Sequence, residues 1–365
     1  MSAVASVPFL REAVAIDSTD DVGPMRRFLT ETLEAADLPV TTDPMGTVCA
    51  RRGPVDASTH LLLNTHLDTV PPHIPPRWDP QTRTLHGRGS ADAKGSLAAM
   101  VEAFCSARLR PDACVTLAVT TDEEVHSRGA AALEVGQTMA IVGEPTDLTL
   151  ATAAKGRFVA SVRLSGTAGH AATPTECVNP IEAVGPAVAA IHAMDADGPR
   201  DPLLGAAVAT VTQVEGGGAA NQVPAVTELT VDRRSIPPET ADGFKQRLQR
   251  VIAAAVPSAV EVTTTLAARP TPFLTAFHTP PSAGVVQLLS EALQAADIEP
   301  TRTAFAAATE ASYFAETPVV VFGPGRLADA DGPIAHADRE YIPTRAVETA
   351  AGVLRRTIES LGSGG

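Results

Sequence analysis

The chain has 365 residues, of which 44% are hydrophobic and 19% are charged, so it can fill more than one core and we expect two domains. Because 42 acidic and 28 basic side chains give a formal net charge of −14, nucleic acid is excluded as a partner for the protein as a whole. The sequence contains no run of about 18 or more uninterrupted apolar residues, which argues against a membrane partner.

Two further features bear on the cellular compartment. The amino terminus has no basic leader before Arg11 and Glu12, so no secretory signal is expected. The four cysteines show no paired spacing, and Cys105 lies within an apolar helical pattern. Unpaired, buried thiols are typical of a reducing compartment. We therefore expect a cytoplasmic protein.

The first half of the chain alternates apolar runs with helical patterns. In chain order, the predicted elements are a helix over 26–36, a strand over 61–67, a helix over 96–109 that Ser96 is expected to cap, and strands over 115–120 and 140–142. This alternation predicts an α/β domain with a mostly parallel sheet and helices on both faces. In such sheets ligands gather at the carboxyl ends of the strands.

The pattern changes after Lys155 and Gly156. The predicted order becomes β-α-β-β-α-β, with strands over 158–164, 208–214, 226–232 and 260–266 and helices over 180–193 and 243–255. This order predicts an inserted α+β domain with an antiparallel sheet, spanning 155–269.

The chain then returns to the first domain, which we expect to comprise 1–154 and 270–365. Arg269 to Pro272 would form a stiff crossing, because two prolines restrict it. A helix over 282–296, a strand over 319–322, a helix over 345–361 and a flexible tail over 362–365 are predicted beyond it.

Several apolar runs end in carboxylates or a histidine. The run over 114–121 is closed by Asp122, Glu123 and Glu124, whose charges repel one another unless a cation lies nearby. Other candidates of the same kind are His66, Asp68, Asp92, Glu144 and His336. Imidazoles and carboxylates together are a ligand set for hard or borderline divalent metals, so a shared metal site is expected.

The adjacent pairs among these residues have alternative interpretations. His66 and Asp68 project to one face of a strand, where the carboxylate could accept the second imidazole N–H; they could also be unrelated residues of an exposed strand end. One of Glu123 and Glu124 could bind a metal while the other accepts a proton from a nearby water. Alternatively, both belong to a solvated acidic turn.

Two isolated candidates lie in loops. The glycine-rich turn over 87–95 matches the fingerprint of a dinucleotide-binding loop only weakly, because Asp92 stands where the third glycine should be. Asp92 fits better as a carboxylate that bridges two cations. His336 lies in a loop late in the chain, where a lone histidine is often simply exposed.

Short motifs recur in a fixed order along nearly the whole chain. They are THLDTVP at 65–71, GRGSADAKG at 87–95, TDEE at 121–124, GEPT at 143–146, GTAGHAATP at 166–174, NQVP at 221–224, TEAS at 309–312 and the segment around His336. In this order they resemble the zinc-dependent amidohydrolases and exopeptidases, the family of acetylornithine deacetylase, succinyl-diaminopimelate desuccinylase, aminoacylase and carboxypeptidase G.

The resemblance implies a pair of divalent metal ions, zinc first, with cobalt or manganese also suited to such ligands. His66, Asp92 and Glu144 would hold one ion, and Asp92, Glu124 and His336 the other. A cis peptide would follow the bridging Asp92. Glu123 would be the general base, and Asp68 would orient His66.

The resemblance also makes the inserted domain a lid and dimerisation domain of a homodimer. Its His170 would reach the active site of the partner subunit and stabilise the oxyanion. Asn221 and Arg234 match substrate-binding positions, with Arg234 pairing with an α-carboxylate, although the adjacent Arg233 could be confused with it and both could be a solvated strand end. Substrate-pocket roles are also expected for Thr309 and Glu310 of the TEAS motif.

The resemblance therefore implies a metal-dependent hydrolase that cleaves the amide bond of N-acyl amino acids. Lys155-Gly156, the TEAS motif and Phe322 to Gly325 are most similar to the acetylornithine deacetylases of the family. The alternatives are a metallo-dipeptidase or carboxypeptidase and a succinyl-diaminopimelate desuccinylase-like enzyme with the same site. A metal-free binding or scaffold protein is the alternative from another class.

Overall fold

Strands and helices alternate along most of the chain in a computed structural model, which describes residues 4–362. The strands are β1 (Val40–Thr42), β2 (Val48–Arg52), β3 (Thr59–His66), β4 (Arg77–Asp79), β5 (Thr84–His86), β6 (Ala113–Thr120), β7 (Met139–Val142), β8 (Leu150–Ala154), β9 (Gly156–Ser165), β10 (Gly169–His170), β11 (Arg200–Asp201), β12 (Gly205–Ala206), β13 (Val208–Gly216), β14 (Gln222–Val223), β15 (Val226–Ser235), β16 (Glu261–Leu266), β17 (Phe277–His278), β18 (Arg302–Phe305), β19 (Val319–Val321), β20 (Ala328–Asp329), β21 (Gly332–Pro333) and β22 (Tyr341–Pro343).

The helices occupy most of the predicted helical segments. They are α1 (Ser6–Ala15), α2 (Gly23–Ala35), α3 (Lys94–Ser106), α4 (Arg128–Ala131), α5 (Val184–Ala193), α6 (Ala241–Ala255), α7 (Gly284–Gln294) and α8 (Thr344–Glu359), with 3₁₀ turns at Pro174–Glu176 and Glu310–Phe314. No helix between residues 4 and 362 combines the length and the apolar character that a bilayer crossing requires. Of the predicted flexible tail over 362–365, the residues beyond Gly362 lie outside the described part of the chain.

The chain divides into two units. Unit 1 contains the described residues up to Ala153, Thr279–Phe305 and the described residues from Thr309 onward. Unit 2 contains Ala154–His278 and Ala306–Ala308.

Unit 1 is built on a large mixed sheet. Its strands follow the order β1-β2-β6-β3-β7-β19-β8, with β18 beside β8. The four strands β6, β3, β7 and β19 are parallel, whereas β2 and β8 run antiparallel to them. All residues of β3 from His60 to His66 are buried, which is the pattern of a strand covered on both faces. The predicted α/β class with a mostly parallel sheet is confirmed, with antiparallel strands flanking the parallel centre.

Helix α3 lies beside this sheet and begins earlier than expected. It starts at Lys94, whose N–H donates to Gly89 O at 2.9 Å, so the glycine-rich turn continues directly into the helix. The N-cap position is Ala93, without a side-chain cap, and Ser96 is buried inside the first turn. The predicted capping role of Ser96 is therefore wrong.

Unit 2 contains an antiparallel sheet in the order β13-β15-β9-β16. Buried and partly exposed residues alternate along β15, which is typical of a strand with one face on a core. Helices α5 and α6 supply the rest of that core, through Ala187, Ile191, Phe244, Leu248 and Ile252. The element order β-α-β-β-α-β agrees with the sequence. Helix α5 begins at Val184 rather than Pro180, because residues 180–183 form turns.

The segment Arg269–Pro272 lies within unit 2 and is not the crossing that the sequence predicted. Arg269 lies over the ring of Phe273, with 5.3 Å between its guanidinium carbon and the ring centroid. Phe273 packs edge-to-face on Phe158 at 5.9 Å between ring centroids. These aromatic contacts hold the segment on the core of unit 2, and the chain enters unit 1 at Thr279.

Candidate metal centre

The parallel strands of unit 1 bring several of the predicted site residues to one edge of the sheet. His66 is the last residue of β3, Glu123 and Glu124 follow β6, and Glu144 follows β7. Because β3 pairs in parallel with both β6 and β7, their carboxyl ends meet. The apolar strands thus explain why carboxylates distant in sequence lie together.

Two loops bring the remaining ligand candidates to this edge. Asp92 lies between β5 and α3, and a cis peptide joins it to Ala93, as the resemblance implied. His336 lies between β21 and β22, with a backbone φ of +63°. Asp92 Oδ1 lies 3.4 Å from His66 Nε2, and Asp92 Oδ2 lies 3.3 Å from His336 Nε2. One carboxylate thus faces two imidazoles, the geometry of a bridging ligand.

Glu124 completes the cluster. Its Oε2 lies 3.1 Å from His336 Nε2, and ligand atoms of His66, Asp92 and Glu124 all lie within 4.8 Å of one another. His66 Nε2 and Glu124 Oε1 are buried without a hydrogen-bond partner among the described residues. Buried polar atoms normally have a partner, and a cation held by these residues would supply one to both atoms. The nitrogen and oxygen donors fit zinc, cobalt or manganese.

The carboxylates in and around the cluster of His66, Asp92 and Glu124 shift the pKa values of their neighbours. Burial, together with Asp92 and other carboxylates, raises the pKa of Glu144 well above its usual range. Burial and the charges of Glu310, Glu124 and Asp92 likewise raise the pKa of Glu123. The pKa of His336 rises to about 10 because Asp92 and Glu124 are hydrogen-bond partners of its ring. This excess of negative charge is what divalent cations would neutralise.

Opposing effects act on the two most central groups. Burial alone would lower the pKa of His66, but the carboxylates of Asp68, Asp92 and Glu123 raise it well above its ordinary value. Burial would raise the pKa of Asp92, but His336 and His66 lower it. The imidazoles and the central carboxylate therefore attract one another strongly.

Asp68 holds both the histidine and the acidic turn. His66 Nδ1 lies 2.9 Å from the backbone carbonyl oxygen of Asp68, whereas the nearer carboxylate oxygen is 3.7 Å away. The carboxylate accepts the backbone N–H of Glu123 at 3.2 Å and that of Glu124 at 3.0 Å. The expected carboxylate–imidazole hydrogen bond is thus replaced by one to the carbonyl, because the turn after β6 supplies closer donors to the carboxylate.

Thr309 and Glu310 are buried, with exposures of 0% and 1%. The hydroxyl of Thr309 donates to Glu144 Oε1 at 3.3 Å. The hydroxyl of Thr120 donates to Glu310 Oε2 at 2.6 Å. The TEAS motif is therefore hydrogen-bonded to Glu144 and to the end of β6. Its contact with substrate stays a prediction.

A buried pair that was not predicted from the sequence lies beside the centre. Arg88 and Glu340 are each 1% exposed, and Glu340 accepts the backbone N–H of Asp92 at 3.1 Å. Arg88 lies in the GRG segment before Asp92, and Glu340 lies four residues after His336. Their closeness to metal-ligand candidates was the available signal, but nothing in the sequence indicated that they pair.

The predicted site residues of unit 2 lie in two regions: His170 and Asn221 lie near β10 and β14, and Arg234 lies on β15. His170 ends β10, is exposed, and its Nδ1 accepts the N–H of Ala172 at 3.1 Å. Asn221 lies beside it, since its carbonyl accepts the N–H of Ala171 at 3.0 Å. These contacts fix the local backbone, and the catalytic role of His170 and the substrate role of Asn221 stay predictions.

The two adjacent arginines of β15 differ. Arg233 is 1% exposed and forms ion pairs with Asp195 and Glu239. Arg234 has a side chain 41% exposed and contacts Asp232 at 2.7 Å. Arg233 is thus buried and paired within unit 2, whereas Arg234 is the more exposed of the two, and its contact with a substrate carboxylate stays a prediction.

Comparison with known proteins identifies a family and several relatives of this chain. The sequence profile of Peptidase family M20/M25/M40 matches residues 62–360. An acetylornithine deacetylase of Edwardsiella ictaluri is 29% identical over 313 residues, covering 79% of this chain and 78% of that protein. A probable carboxypeptidase of Aspergillus terreus is 32% identical over 264 residues, covering 62% of this chain and 60% of that protein.

The fold also matches a solved structure. Aminopeptidase PepT from Bacillus cereus superposes with a TM-score of 0.79 at 18% identity, covering 98% of each chain. At that identity the likeness establishes the fold alone.

Proposed function

The chain belongs to peptidase family M20/M25/M40 and is an enzyme that hydrolyses amide bonds, and we propose that its substrates are N-acyl amino acids, N-acetylornithine first among them. The proposal rests on the position of the Asp92 carboxylate between two imidazoles. Its Oδ1 lies 3.4 Å from His66 Nε2, and its Oδ2 lies 3.3 Å from His336 Nε2. The similarity to an acetylornithine deacetylase supports the choice of substrate.

We propose a centre of two divalent ions. His66, Asp92 and Glu144 would hold one ion, and Asp92, Glu124 and His336 would hold the other; zinc is the first choice, with cobalt or manganese as alternatives. When bound, such ions polarise the amide carbonyl and lower the pKa of a nearby water.

Glu123 is proposed as the proton carrier. Its carboxylate accepts a proton from the attacking water, whose oxygen adds to the amide carbon. The same carboxyl then returns the proton to the amide nitrogen as the C–N bond breaks. The products are a carboxylate and a free amino acid. Asp68 supports this role by accepting the backbone N–H of Glu123 at 3.2 Å.

The substrate contacts are proposed for unit 2 and for the TEAS motif. Arg234 pairs with the α-carboxylate of the amino acid, and Asn221 hydrogen-bonds to the substrate. His170 of one subunit donates a hydrogen bond to the oxyanion in the other subunit of a cytoplasmic homodimer. Thr309 and Glu310 shape the pocket near Glu144.

A substrate panel tests the proposal. Protein loaded with zinc is incubated with N-acetylornithine, other N-acetyl amino acids, N-succinyl-diaminopimelate and dipeptides, and the released amine is measured. Preferential hydrolysis of N-acetyl amino acids is expected. A protein that cleaves none of these amides after metal loading, although folded, would contradict the proposed function.

A carboxypeptidase or dipeptidase is the second candidate. It is favoured by the 32% identity to a probable carboxypeptidase. Both reactions place an α-carboxylate next to a scissile amide, so Arg234 serves either. Dipeptides that are cleaved faster than N-acetylornithine in the same panel would select this function.

A further inference from the structure

The loops that carry Asp92 and His336 share one buried ion pair. Arg88 Nη1 donates to Glu340 Oε2 at 2.7 Å, and both side chains are 1% exposed. Burying two charges costs desolvation that their attraction offsets only in part, so stability alone is a weak reason for the pair. The hydrogen bonds around it point to another role.

Glu340 holds the backbone of the Asp92 loop. Its Oε1 accepts the N–H of Ala91 at 3.0 Å and the N–H of Asp92 at 3.1 Å. The Asp92 side chain projects from this stretch of backbone toward both imidazoles. A shift of the Glu340 carboxylate would therefore move the bridging carboxylate.

Arg88 holds the backbone of the His336 loop. Its Nη1 donates to Ala337 O at 3.2 Å, its Nη2 to His336 O at 3.4 Å, and its Nε to Pro72 O at 3.2 Å. The planar guanidinium presents these donors in fixed directions, which a lysine ammonium cannot do.

His336 depends on such an anchor. Its side chain is 52% exposed, so packing does little to fix the ring. Its backbone φ of +63° lies in a region that non-glycine residues rarely adopt. The hydrogen bonds of Arg88 to the carbonyls of His336 and Ala337 constrain this part of the loop.

We propose that Arg88 and Glu340 are positioning residues that set the separation of Asp92 and His336 and thereby the metal affinity of the centre. This inference rests on the proposed function. The pair ties together the two loops whose side chains meet at 3.3 Å between His336 Nε2 and Asp92 Oδ2. Substitution of either residue loosens one loop relative to the other while all metal-ligand candidates stay in the chain.

The test measures zinc affinity in folded variants. Arg88→Lys and Glu340→Gln are titrated with zinc against a chromophoric chelator, and thermal unfolding is recorded with and without zinc. We expect zinc affinity to fall about 10- to 100-fold, as is typical when a partner of a metal ligand is lost. The zinc-induced rise in Tm should shrink in parallel.

A matched control is available in the same unit. Arg83 Nη2 and Glu348 Oε1 form a pair at 2.9 Å with side chains 55% and 45% exposed. Arg83→Lys and Glu348→Gln should change zinc affinity by less than about twofold, because exposed pairs contribute little. This control separates the loss of the buried pair from the loss of an arginine–glutamate pair in general.

The outcomes are distinguishable. If Arg88→Lys and Glu340→Gln lower the Tm of the metal-free protein but bind zinc as the wild type does, the pair is only structural and the proposal is overturned. If either single variant does not fold, the double variant Arg88→Met/Glu340→Gln, which leaves no unpaired charge, is measured instead, and wild-type affinity in it also overturns the proposal. A wild-type protein that binds no zinc, cobalt or manganese contradicts the proposed function itself.

Discussion

At the scale of single residues, no ion pair to an imidazole engages the carboxylate of Glu123 among the described residues, whereas Asp92 and Glu124 both contact the ring of His336. The backbone N–H of Glu123 is held by Asp68 at 3.2 Å. Burial and the neighbouring carboxylates raise its pKa, which is the direction that the proposed role as proton carrier requires.

Replacement of Glu123 should remove catalysis and leave metal binding in place. We expect Glu123→Gln to lower kcat by about 10²- to 10⁴-fold, because general acid–base catalysis contributes that much. The metal content, measured by elemental analysis, should stay at the wild-type value. Glu134→Gln, at an exposed carboxylate of unit 1, is the matched control with unchanged kcat. A Glu123→Gln enzyme with wild-type turnover would remove this residue from the mechanism.

Glu310 should make the metal-free protein less stable as the pH rises. Burial raises the pKa of its carboxyl from 4.5 to about 8. Between these values the folded state binds more protons than the unfolded state, so stability falls as pH increases, with a slope of at most about 1.4 kcal/mol per pH unit. Glu310→Gln should flatten this decrease, as measured by urea unfolding of metal-free protein between pH 5 and 8.

The control for this prediction is Glu316→Gln. Glu316 lies close in the chain and is exposed. Its substitution should leave the pH dependence as in the wild type. An unchanged slope in Glu310→Gln would show that other groups, such as His336, produce the pH dependence.

At the scale of secondary-structure elements, the sequence predicted the strand ends best. Polar residues such as His66 and Glu144 interrupt apolar runs at the point where the parallel strands end, so pattern and position coincide. The start of α3 was misplaced because Lys94 and Gly95 are buried by tertiary packing that no local pattern shows. The pair of Arg88 and Glu340 was missed because its partners are 252 residues apart.

The packing of α3 on the end of β19 can be tested with one glycine. A Cβ at Gly323 would lie 2.3 Å from Ser96 Oγ and 2.6 Å from the carbonyl oxygen of Glu144. Gly323→Ala should therefore push α3 and the Glu144 segment away from the end of β19 and destabilise unit 1 by about 1–3 kcal/mol, as overpacking does. Equilibrium urea unfolding provides the measurement.

Gly352→Ala is the matched substitution with the opposite expectation. Gly352 lies inside α8 and has no atom within 4 Å of the position of a Cβ. Alanine should stabilise the helix there by about 0.5–1 kcal/mol, because glycine loses more backbone entropy. If both substitutions changed stability equally, the close approach at Gly323 would not be the cause.

At the scale of the whole molecule, metal binding should link the segments of unit 1 that supply ligands. These segments come from β3, the loop before α3, the turns after β6 and β7, and the loop before β22. An ion that binds only the folded state adds about 2.7 kcal/mol of stability when its concentration is 100 times Kd. Removing the metal with a chelator should therefore lower the Tm, and adding zinc should restore it. A Tm that a chelator leaves unchanged would contradict a metal centre built from these segments.

Unit 2 contains His170, the remaining proposed catalytic group. The proposed homodimer can be tested by mixing two inactive variants. Glu123→Ala lacks the base, and His170→Ala lacks the residue proposed to act in the partner's site. In a mixed dimer, the site of the His170→Ala subunit keeps its own Glu123 and receives His170 from the other subunit. Random exchange makes about half of the dimers mixed, each with one complete site, so about a quarter of wild-type activity should return.

The controls are the separate variants, treated in the same way, which should each stay inactive. Subunit exchange is promoted by mild denaturation and followed by size-exclusion chromatography with differently tagged chains. If His170 acted within its own subunit, mixed dimers would contain no complete site, and no activity would return although mixed dimers form. The recovered activity therefore reports directly on which subunit supplies the imidazole, independently of which N-acyl amino acid is used as substrate.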